Sequence, residues 1–376
     1  MTPIEIRHHL HQHPELSGKE VETQRFILSQ LKECHPTSIY SELGEGNHGI
    51  IAVWGDDKQA PTIAFRADID ALPIQEANLL PYGSTRKGVA HKCGHDGHTA
   101  ILLALAQKLG EEQPSCNIML LFQPAEETGY GAKAMVESGI MQQYNIQAVY
   151  GVHNLPGYPK NTVLLKEGTF ACASEGLLIR LQGRQTHAST PEMGINPALA
   201  VSELIPRLTQ FNHCDNQFIL LSTLVYTKIG EKAFGTSAGY AEIGITVRAH
   251  NDNTLQQVLR QIDSDCIEMA EKHHLGLSTS VFDPFGATIN TPLAIQTLTE
   301  VCQSSERTTA LLERPFRWSE DFCEYLRLYE GALFGIGAGE SCKELHHPEY
   351  DFPDDIIAPT AQLFYQLATH FANTHH

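Results

Sequence analysis

Strand-like and helical runs alternate along the first part of the sequence, and this alternation restricts the fold more than any other feature. The strand-like runs are residues 49–54, 62–67, 117–122 and 147–152, and the helical runs are residues 99–109 and 132–140. Strands that alternate with helices are typical of a doubly wound α/β domain. We therefore predict an α/β fold of this class.

The middle third of the chain has a different pattern. Its strand-like runs are 175–182, 218–228, 240–249 and 277–282, and its helical runs are 197–210 and 254–272. The order β-α-β-β-α-β is that of a ferredoxin-like unit, which is self-contained at this size. Afterwards the alternation returns, with helical runs at 292–303, 319–328 and 356–371 and a strand-like run at 332–336. We predict a catalytic domain formed by residues 1–172 and 286–376, with a small domain inserted at 173–285.

The N-terminal region gives weaker signals. The stretch 7–14 ends in a proline and is predicted to be broken there. Ser17-Gly-Lys-Glu20 matches a capping box, and the residues after it have apolar side chains at helical spacing up to Leu31.

Charge and composition exclude several classes of partner. The 376 residues include 26 Lys and Arg against 44 Asp and Glu, a formal charge of −18. Nucleic acids and anionic membranes are polyanions that bind basic surfaces, so neither is expected as a partner. No apolar run approaches the roughly 18 residues of a membrane span, and the N-terminus has no signal-peptide core. We therefore expect a cytoplasmic protein. Nine scattered cysteines without a CxxC pair argue against a disulfide framework.

Polar clusters follow the predicted strands, where an open α/β sheet usually holds its ligand. They are Arg66-Ala-Asp68-Ile-Asp70, His91-Lys-Cys93-Gly-His95-Asp96-Gly-His98, Gln123-Pro-Ala-Glu126-Glu127 and Gly151-Val-His153-Asn154, with Leu345-His346-His347-Pro348 near the C-terminus.

Cys93 and His95 are the most informative pair in these clusters. A thiolate and an imidazole separated by one glycine can reach one ion or two adjacent ions, and both bind Zn, Mn, Co or Ni. The alternative is a polar loop that precedes a helix. The density of histidine and cysteine between His91 and His98, with Asp96 among them, favours metal binding.

Adjacent carboxylates at Glu126 and Glu127 usually lie on a solvated helix face. Here they follow a buried strand and a proline, which indicates a strand end inside a cleft. One carboxylate can then bind metal while its neighbour acts as general base toward a water.

His153 and His346 each have an ordinary alternative, a hydrogen-bonded core histidine and a surface-loop residue respectively. Taken together, the five side chains suit two metal ions with a shared bridging group and open water positions: Cys93, His95, Glu127, His153 and His346.

Two other patterns are weaker. Gly335-Ile-Gly337-Ala-Gly339 suggests a dinucleotide loop, but Glu340 occupies the position of the third glycine. Cys93 near histidines also fits a thiol nucleophile, although the extra carboxylates favour metal.

Motifs in order along nearly the whole chain make the sequence resemble a known family. They are Arg7-His-His-Leu-His-Gln-His-Pro-Glu15, Phe65-Arg-Ala-Asp-Ile-Asp-Ala-Leu-Pro73, Cys93-Gly-His-Asp-Gly-His98, Gln123-Pro-Ala-Glu-Glu127, His187-Ala-Ser with Pro191, Ser319-Glu-Asp-Phe322 and Leu345-His346. The family is the aminoacylase-like metallopeptidases, which include hippurate hydrolases, plant auxin-conjugate amidohydrolases and N-acetyldiaminopimelate deacetylases.

The resemblance implies a dinuclear metal centre in the α/β domain and an inserted lid domain through which such proteins often form homodimers. It implies that the metal ligands are Cys93, His95, Glu127, His153 and His346, with Cys93 as the bridge. Glu126 would be the general base, and Asp68 would fix a metal ligand. His187 on the lid would donate to the developing oxyanion, in its own or the partner's site.

Substrate contacts are less defined by the sequence. Arg248, at the end of a lid strand, could bind a substrate α-carboxylate in a two-pronged contact, or could be an ordinary surface arginine. Many relatives have an Asn-x-Ile-Pro run in the lid, and residues 230–238 of this chain have no asparagine there.

The leading hypothesis is a metal-dependent amidohydrolase that cleaves the amide bond of a small N-acyl amino acid, with two divalent ions of Mn, Zn, Co or Ni. One alternative is a dipeptidase or carboxypeptidase with the same centre. Another, of a different class, is a non-catalytic binding protein that retains the fold.

Overall fold

The computed structural model describes residues 1–215 and 218–374, which form two compact units. The first unit comprises Met1–Phe170, Thr288–Glu313 and Asp321–His376, and the second comprises Ala171–Ala287 and Arg314–Glu320. The second unit thus interrupts the first. The second unit also includes Arg314–Glu320, a segment that was predicted to belong to the catalytic domain.

The helices and strands are as follows. The helices are α1 (Pro3–Gln12), α2 (Val21–Lys32), α3 (His95–Glu111), α4 (Gly131–Glu137), α5 (Ala198–Leu208), α6 (Asp252–Lys272), α7 (Pro292–Ser304), α8 (Cys323–Leu326) and α9 (Ile357–Thr374). The strands are β1 (Ser38–Leu43), β2 (Gly49–Trp54), β3 (Pro61–Asp68), β4 (Asn117–Gln123), β5 (Asn145–Pro156), β6 (Val163–Leu165), β7 (Gly168–Ala171), β8 (Ala173–Gln182), β9 (Thr186–His187), β10 (His213–Cys214), β11 (Ile219–Ile229), β12 (Thr236–Ser237), β13 (Tyr240–Ala249), β14 (Gly276–Phe285), β15 (Thr288–Asn290), β16 (Thr309–Leu311) and β17 (Gly331–Gly339). Within the described residues, none of these helices combines the length and the apolarity needed to cross a bilayer.

The first unit is built on a mixed sheet with the order β1-β2-β4-β3-β5-β17-β6-β16. Strands β4, β3, β5 and β17 are mutually parallel, and antiparallel pairs flank them. Alternate side chains such as Phe65 and Leu120 pack under α3 and α9 on one face. On the other face, α8 contacts the sheet where Phe322 approaches Gly151. The predicted α/β class is therefore confirmed.

The second unit has an antiparallel sheet with the order β10-β11-β13-β8-β14. Alternating residues of β8 and β13, such as Ile179 and Ile243, pack against α5 and α6. Its longer elements, β8, α5, β11, β13, α6 and β14, follow the β-α-β-β-α-β order, and the short strands β9, β10 and β12 lie between them. A role of this unit as a lid or dimerisation domain stays a prediction.

The N-terminal predictions were confirmed in part: the chain breaks at Pro14 and helix α2 includes Leu31, but the predicted capping box was wrong. The chain forms α1 before the proline, with a capping box between Thr2 and Glu5, a helix that the sequence reading missed. The capping box predicted at Ser17 and Glu20 does not form, because α2 begins at Val21 and its N-cap residue makes no side-chain cap bond. Both side chains have other partners.

Several predicted element bounds also differ. The helix predicted at 319–328 is reduced to α8, and α3 begins at His95 rather than at Thr99. Strand β5 continues past Val152 to Pro156, so His153 lies near the end of the strand but still within it. Gly335 to Gly339 belong to β17, which excludes the dinucleotide loop because that motif requires a turn before a helix.

A buried ion pair joins α1 to the first turn of α3. The Arg7 guanidinium donates to Asp96 at 2.9 Å, and both side chains are fully buried. Arg7 also pairs with Asp351 and Asp354, and His11 lies 2.8 Å from Asp96. Burial raises the pKa of Asp96, but Arg7 and His11 outweigh that effect and hold the pKa well below its ordinary value. The segment after Cys93 is therefore fixed by charge pairing that the N-terminal helix supplies.

Replacing Arg7 with methionine is expected to lower the free energy of unfolding by about 3–5 kcal/mol, because the buried Asp96 loses the guanidinium and keeps only His11 beside it. Urea unfolding measures the change. The matched control is Arg25→Met, since Arg25 pairs with Glu22 on the surface and such pairs contribute at most about 1 kcal/mol. Equal stability of the two variants would contradict this account of the first helix.

Candidate active site

The predicted site residues of the first unit meet at the carboxyl edge of its parallel strands. Asp68 ends β3 and is level with Gln123 at the end of β4. His153 lies near the end of β5, level with Gly335 of β17. Because parallel strands present their carboxyl ends at one edge, loops from distant parts of the sequence converge there.

Gly94 allows Cys93 and His95 to approach this edge. It has a φ of +100° as the residue that caps α3, and a Cβ at this position would lie 2.4 Å from the side-chain oxygen of Asn154. Only glycine, which has no Cβ, can adopt this φ and lie so close to the Asn154 side chain. The Cys93 Sγ atom consequently lies 3.6 Å from His153 Nε2.

A tight turn after β4 presents Glu126 and Glu127. Ala125 has a left-handed backbone with φ +53°, and Glu126–Thr128 form a single 3₁₀ turn. A Cβ on Gly131 would lie 1.8 Å from the carbonyl oxygen of Pro124, so glycine is required where the turn closes. Each carboxylate has an oxygen close to the Nε2 atom of His95: the distance is 3.9 Å for Glu126 and 3.8 Å for Glu127.

The structure brings all five predicted metal ligands together with Glu126. Among these six residues, potential ligand atoms within 4.8 Å of one another form three overlapping groups: Cys93, His95 and His153; Cys93, Glu127 and His346; His95, Glu126 and Glu127. His346 comes from a loop after β17, and its Nε2 atom lies 3.6 Å from Glu127 Oε1.

The spacing of these atoms fits metal coordination better than hydrogen bonding. His95 Nε2 and Glu127 Oε1 are buried and have no hydrogen-bond partner among the described residues. Their 3.8 Å separation is too long for a hydrogen bond. Ligand bonds of about 2.0–2.3 Å in tetrahedral geometry put neighbouring ligand atoms roughly 3.3–3.8 Å apart. The donor set therefore fits divalent transition-metal ions.

Hydrogen bonds orient the two central imidazoles. His95 Nδ1 lies 3.1 Å from both the carbonyl and a carboxylate oxygen of Asp70, and His153 Nδ1 lies 2.9 Å from the carbonyl of Asn154. A carbonyl only accepts, so Nδ1 carries the proton in each ring. The Nε2 lone pairs are left directed at the cluster, as metal ligation requires.

Asp68 is held beside the cluster by two cationic or polar neighbours. Its carboxylate accepts from His98 Nδ1 and Arg66 Nη1, each at 2.7 Å, and lies 3.7 Å from His95 Nε2. The second nitrogen of His98 accepts from the Asn154 amide at 3.2 Å. Since both its nitrogens are occupied, His98 serves to orient Asp68 and is not available as a ligand.

The electrostatics of the cluster favour a bound cation. Burial raises the pKa of Glu127 to about 8, and the charges of Asp70 and Asp68 add to the effect. Burial lowers the pKa of His95, but the Asp68 carboxylate outweighs it and the pKa lies well above its ordinary value, so a metal ion would replace the proton that His95 Nε2 otherwise holds. Burial holds the pKa of His153 well below its ordinary value, so this ring is neutral, the form that binds metal.

The remaining predicted residues lie in the second unit. His187 is exposed in β9, which pairs with β12, and its Nδ1 atom lies 2.6 Å from Ser189 Oγ. Arg248 is half-buried on β13 and donates to the carbonyl of Arg317 at 3.2 Å and to Ser319 Oγ at 3.1 Å.

No individual role was predicted for Asp70 from the sequence, although its side chain contacts two residues of the site. It binds His95 through one oxygen, and through the other it accepts from the Glu127 amide at 3.1 Å. Its position two residues after Asp68 was the available signal, because alternate residues of an extended segment lie on the same side.

Comparison with known proteins agrees with this geometry. The family model described as Peptidase family M20/M25/M40 matches residues 64–370. The chain is 32% identical to a hippurate hydrolase of Campylobacter jejuni over 368 residues, 96% of this chain and 94% of that one. It is 33% identical to an N-acetyl-L-cysteine deacetylase of Bacillus subtilis, covering 97% of this chain and 87% of the relative. A Bacillus subtilis structure described as a dinuclear metal binding peptidase from the M20 family superposes with a TM-score of 0.83 at 28% identity, covering 99% and 98% of the two chains.

The fold, the site and these relatives define an enzyme of the metal-dependent amidohydrolase class. The chain belongs to peptidase family M20/M25/M40.

Proposed function

We propose that this enzyme hydrolyses the amide bond of small N-acyl amino acids and releases the carboxylic acid and the free amino acid. The observation that carries the proposal is the adjacent pair Glu126 and Glu127, both of which face His95 in a cluster that contains Cys93 and His153. Such a pair provides one carboxylate for metal and one for proton transfer. The names of the two relatives, a hippurate hydrolase and an N-acetyl-L-cysteine deacetylase, support this class of substrate.

Two divalent ions are proposed as the cofactor, bound by the five residues named above. Cys93 belongs to one group with His95 and His153 and to another with Glu127 and His346, so its thiolate is near two separate pairs of ligands, which supports a bridging role. When bound, the ions would lower the pKa of a water molecule and polarise the scissile carbonyl. Thiolate, imidazole and carboxylate together suit Mn²⁺, Zn²⁺, Co²⁺ or Ni²⁺, and availability selects among them.

Glu126 is proposed as the general base. Its carboxylate is 5% exposed and one oxygen lies 3.9 Å from His95 Nε2. It would take a proton from water as the oxygen attacks the carbonyl carbon, and then deliver that proton to the amine nitrogen as the C–N bond breaks. Asp68 would act on His95 by charge and not by a hydrogen bond, since its ionised carboxylate, held by His98 and Arg66, lies 3.7 Å from His95 Nε2.

Two residues of the second unit are proposed to contact substrate. His187 would donate to the developing oxyanion, in its own subunit or in the partner's site, and Ser189 beside its Nδ1 atom would orient the ring. Arg248 would bind the α-carboxylate, because its half-buried guanidinium is held by Ser319 and Arg317. Residues 230–238 supply no asparagine for either task.

A homodimer formed through the second unit is proposed as the assembly. Large apolar side chains of that unit are exposed, including Val225 at 61% and Phe282 at 48%. Burial of such side chains against a second copy would stabilise the dimer. Light scattering gives the molar mass in solution directly.

Replacement of Glu126 with alanine is expected to reduce kcat by about 10²–10⁴-fold and to leave the bound metal unchanged, because the base is removed and the ligands remain. Turnover of N-acetyl and N-benzoyl amino acids, with metal analysis of the same samples, measures both effects. The control is Glu137→Ala, since the Glu137 side chain is 65% exposed on α4. A Glu126→Ala variant that retains the wild-type rate would refute the mechanism.

The substrate contacts of the second unit predict two different kinetic changes. Arg248→Met should raise KM by about 10–100-fold for N-acyl amino acids and have little effect on their amides, which lack the carboxylate. His187→Ala should instead lower kcat by about 10²–10³-fold. Arg180→Met is the control for Arg248→Met, because Arg180 lies on the neighbouring strand β8.

Steady-state kinetics over N-acyl amino acids, their amides and dipeptides tests these assignments. An unchanged KM in Arg248→Met would contradict the proposed carboxylate contact, and an unchanged kcat in His187→Ala would contradict the oxyanion contact. A preference of the wild-type enzyme for dipeptides would favour the peptidase alternative.

A further inference from the structure

The loop from Ser17 to Glu20, between α1 and α2, contacts the segments that carry the catalytic carboxylates. Two of its side chains, those of Ser17 and Glu20, match a capping box in sequence, yet neither side chain caps α2. Each instead makes a hydrogen bond to a distant segment of the first unit. The loop therefore has a task other than starting its own helix.

Glu20 makes the more unusual of these contacts. Its side chain is fully buried, and its Oε1 atom accepts from the amide of Gly18 at 3.0 Å and from the amide of Ala125 at 2.9 Å. Its Oε2 atom is buried and has no hydrogen-bond partner among the described residues. A buried carboxyl with one unpaired oxygen costs stability, so a compensating function is expected of it.

The partner of Glu20 is a strained residue directly before the general base. Ala125 adopts φ +53° and ψ +40°, the left-handed conformation that residues with a Cβ disfavour. Such a conformation persists only when surrounding contacts hold it. The hydrogen bond from the Ala125 amide to Glu20 is one such contact. It fixes the direction in which the chain continues to Glu126 and Glu127.

Ser17 supports the same turn by a second route. Its hydroxyl donates to Asp70 Oδ2 at 2.7 Å, and that oxygen also accepts from the amide of Glu127 at 3.1 Å. The other oxygen of Asp70 binds His95 Nδ1. One short loop is thus connected both to the residue before the base and to the aspartate that orients a proposed metal ligand.

We propose that Glu20 is a positioning residue for the reaction: by accepting the Ala125 amide proton, it holds the turn that aims Glu126 at the reacting water. The proposal rests on the function proposed above for Glu126. It assigns no contact with substrate or metal to Glu20.

The chemistry of the Glu20 side chain suggests a conservative replacement. Burial raises the pKa of Glu20 to about 8, and the charge of Asp70 adds to the effect. The carboxyl is therefore largely neutral at pH 7, and glutamine has nearly its size and retains an acceptor oxygen. Glu20→Gln should preserve the bond to Ala125, whereas leucine removes the acceptor and aspartate shortens its reach.

Glu15 provides a matched control in the same segment. Its side chain is also buried and accepts from a backbone amide, that of Thr23 at 2.9 Å, which belongs to α2 and not to the catalytic turn. Glu15→Leu and Glu20→Leu therefore both remove a buried carboxyl that binds an amide. Only the second should affect the turn that carries the base.

The test is steady-state kinetics with N-acetyl amino acids, together with metal content and urea unfolding, on full-length variants. Glu20→Leu is expected to lower kcat by about 10–100-fold while KM and metal content stay within about twofold of wild type. Glu20→Gln should stay within about threefold of the wild-type kcat, and Glu15→Leu should lose stability but keep its kcat. If the leucine variant does not fold, Glu20→Asp is expected to show the lowered kcat in its place.

A wild-type kcat in Glu20→Leu or in Glu20→Asp would overturn the proposal, as would a Glu20→Gln variant as slow as Glu20→Leu. Glu126→Ala, assayed in parallel, separates this failure from failure of the proposed function. An inactive Glu126→Ala beside a fully active Glu20→Leu refutes the positioning role alone. A fully active Glu126→Ala refutes Glu126 as the general base, on which both the proposed mechanism and this positioning role rest.

Discussion

The carboxylates of Asp68, Asp70, Glu126 and Glu127 lie at one buried edge of a parallel sheet, and compensation of their charge is the constraint on which the rest of the site depends. Direct hydrogen bonds satisfy Asp68 and Asp70, whereas one buried oxygen of Glu127 has no hydrogen-bond partner in the part of the chain that the structure describes. Transfer of an unpaired carboxylate out of water is unfavourable, so this arrangement favours a cation. Catalysis and metal binding are thus two consequences of the same accumulation of charge.

The scaffold around these carboxylates limits how they can move. The buried pair of Arg7 and Asp96 anchors the start of α3, directly beside His95. Hydrogen bonds of Asp70 and Asn154 fix the tautomers of the two central imidazoles. Pre-organised ligands lose little conformational entropy when they bind, and a fixed base avoids reorganisation during proton transfer. Rigidity at this edge is therefore part of the proposed mechanism.

The sequence predicted much of this arrangement, and the failures have identifiable causes. Cys93, His95 and Glu127 could be named because dense ligand-type residues after apolar strands are rare outside binding sites. The α/β class followed from periodicity, which is a local property. Ser17 and Glu20 were misread because the S-x-x-E pattern specifies only local partners, and their actual partners are more than fifty and one hundred residues away. Asp70 was overlooked for the same reason, since its role depends on contacts that form only in the folded chain.

The central claim is that the cluster around Cys93 binds two metal ions. Anomalous diffraction from crystals grown with Mn²⁺ tests it most directly, because each ion gives a peak at its own position. The account predicts two peaks about 3.5–4 Å apart, both within the side chains of Cys93, His95, Glu127, His153 and His346, with Cys93 in contact with both. A single peak, or peaks that lie on other residues, would contradict it.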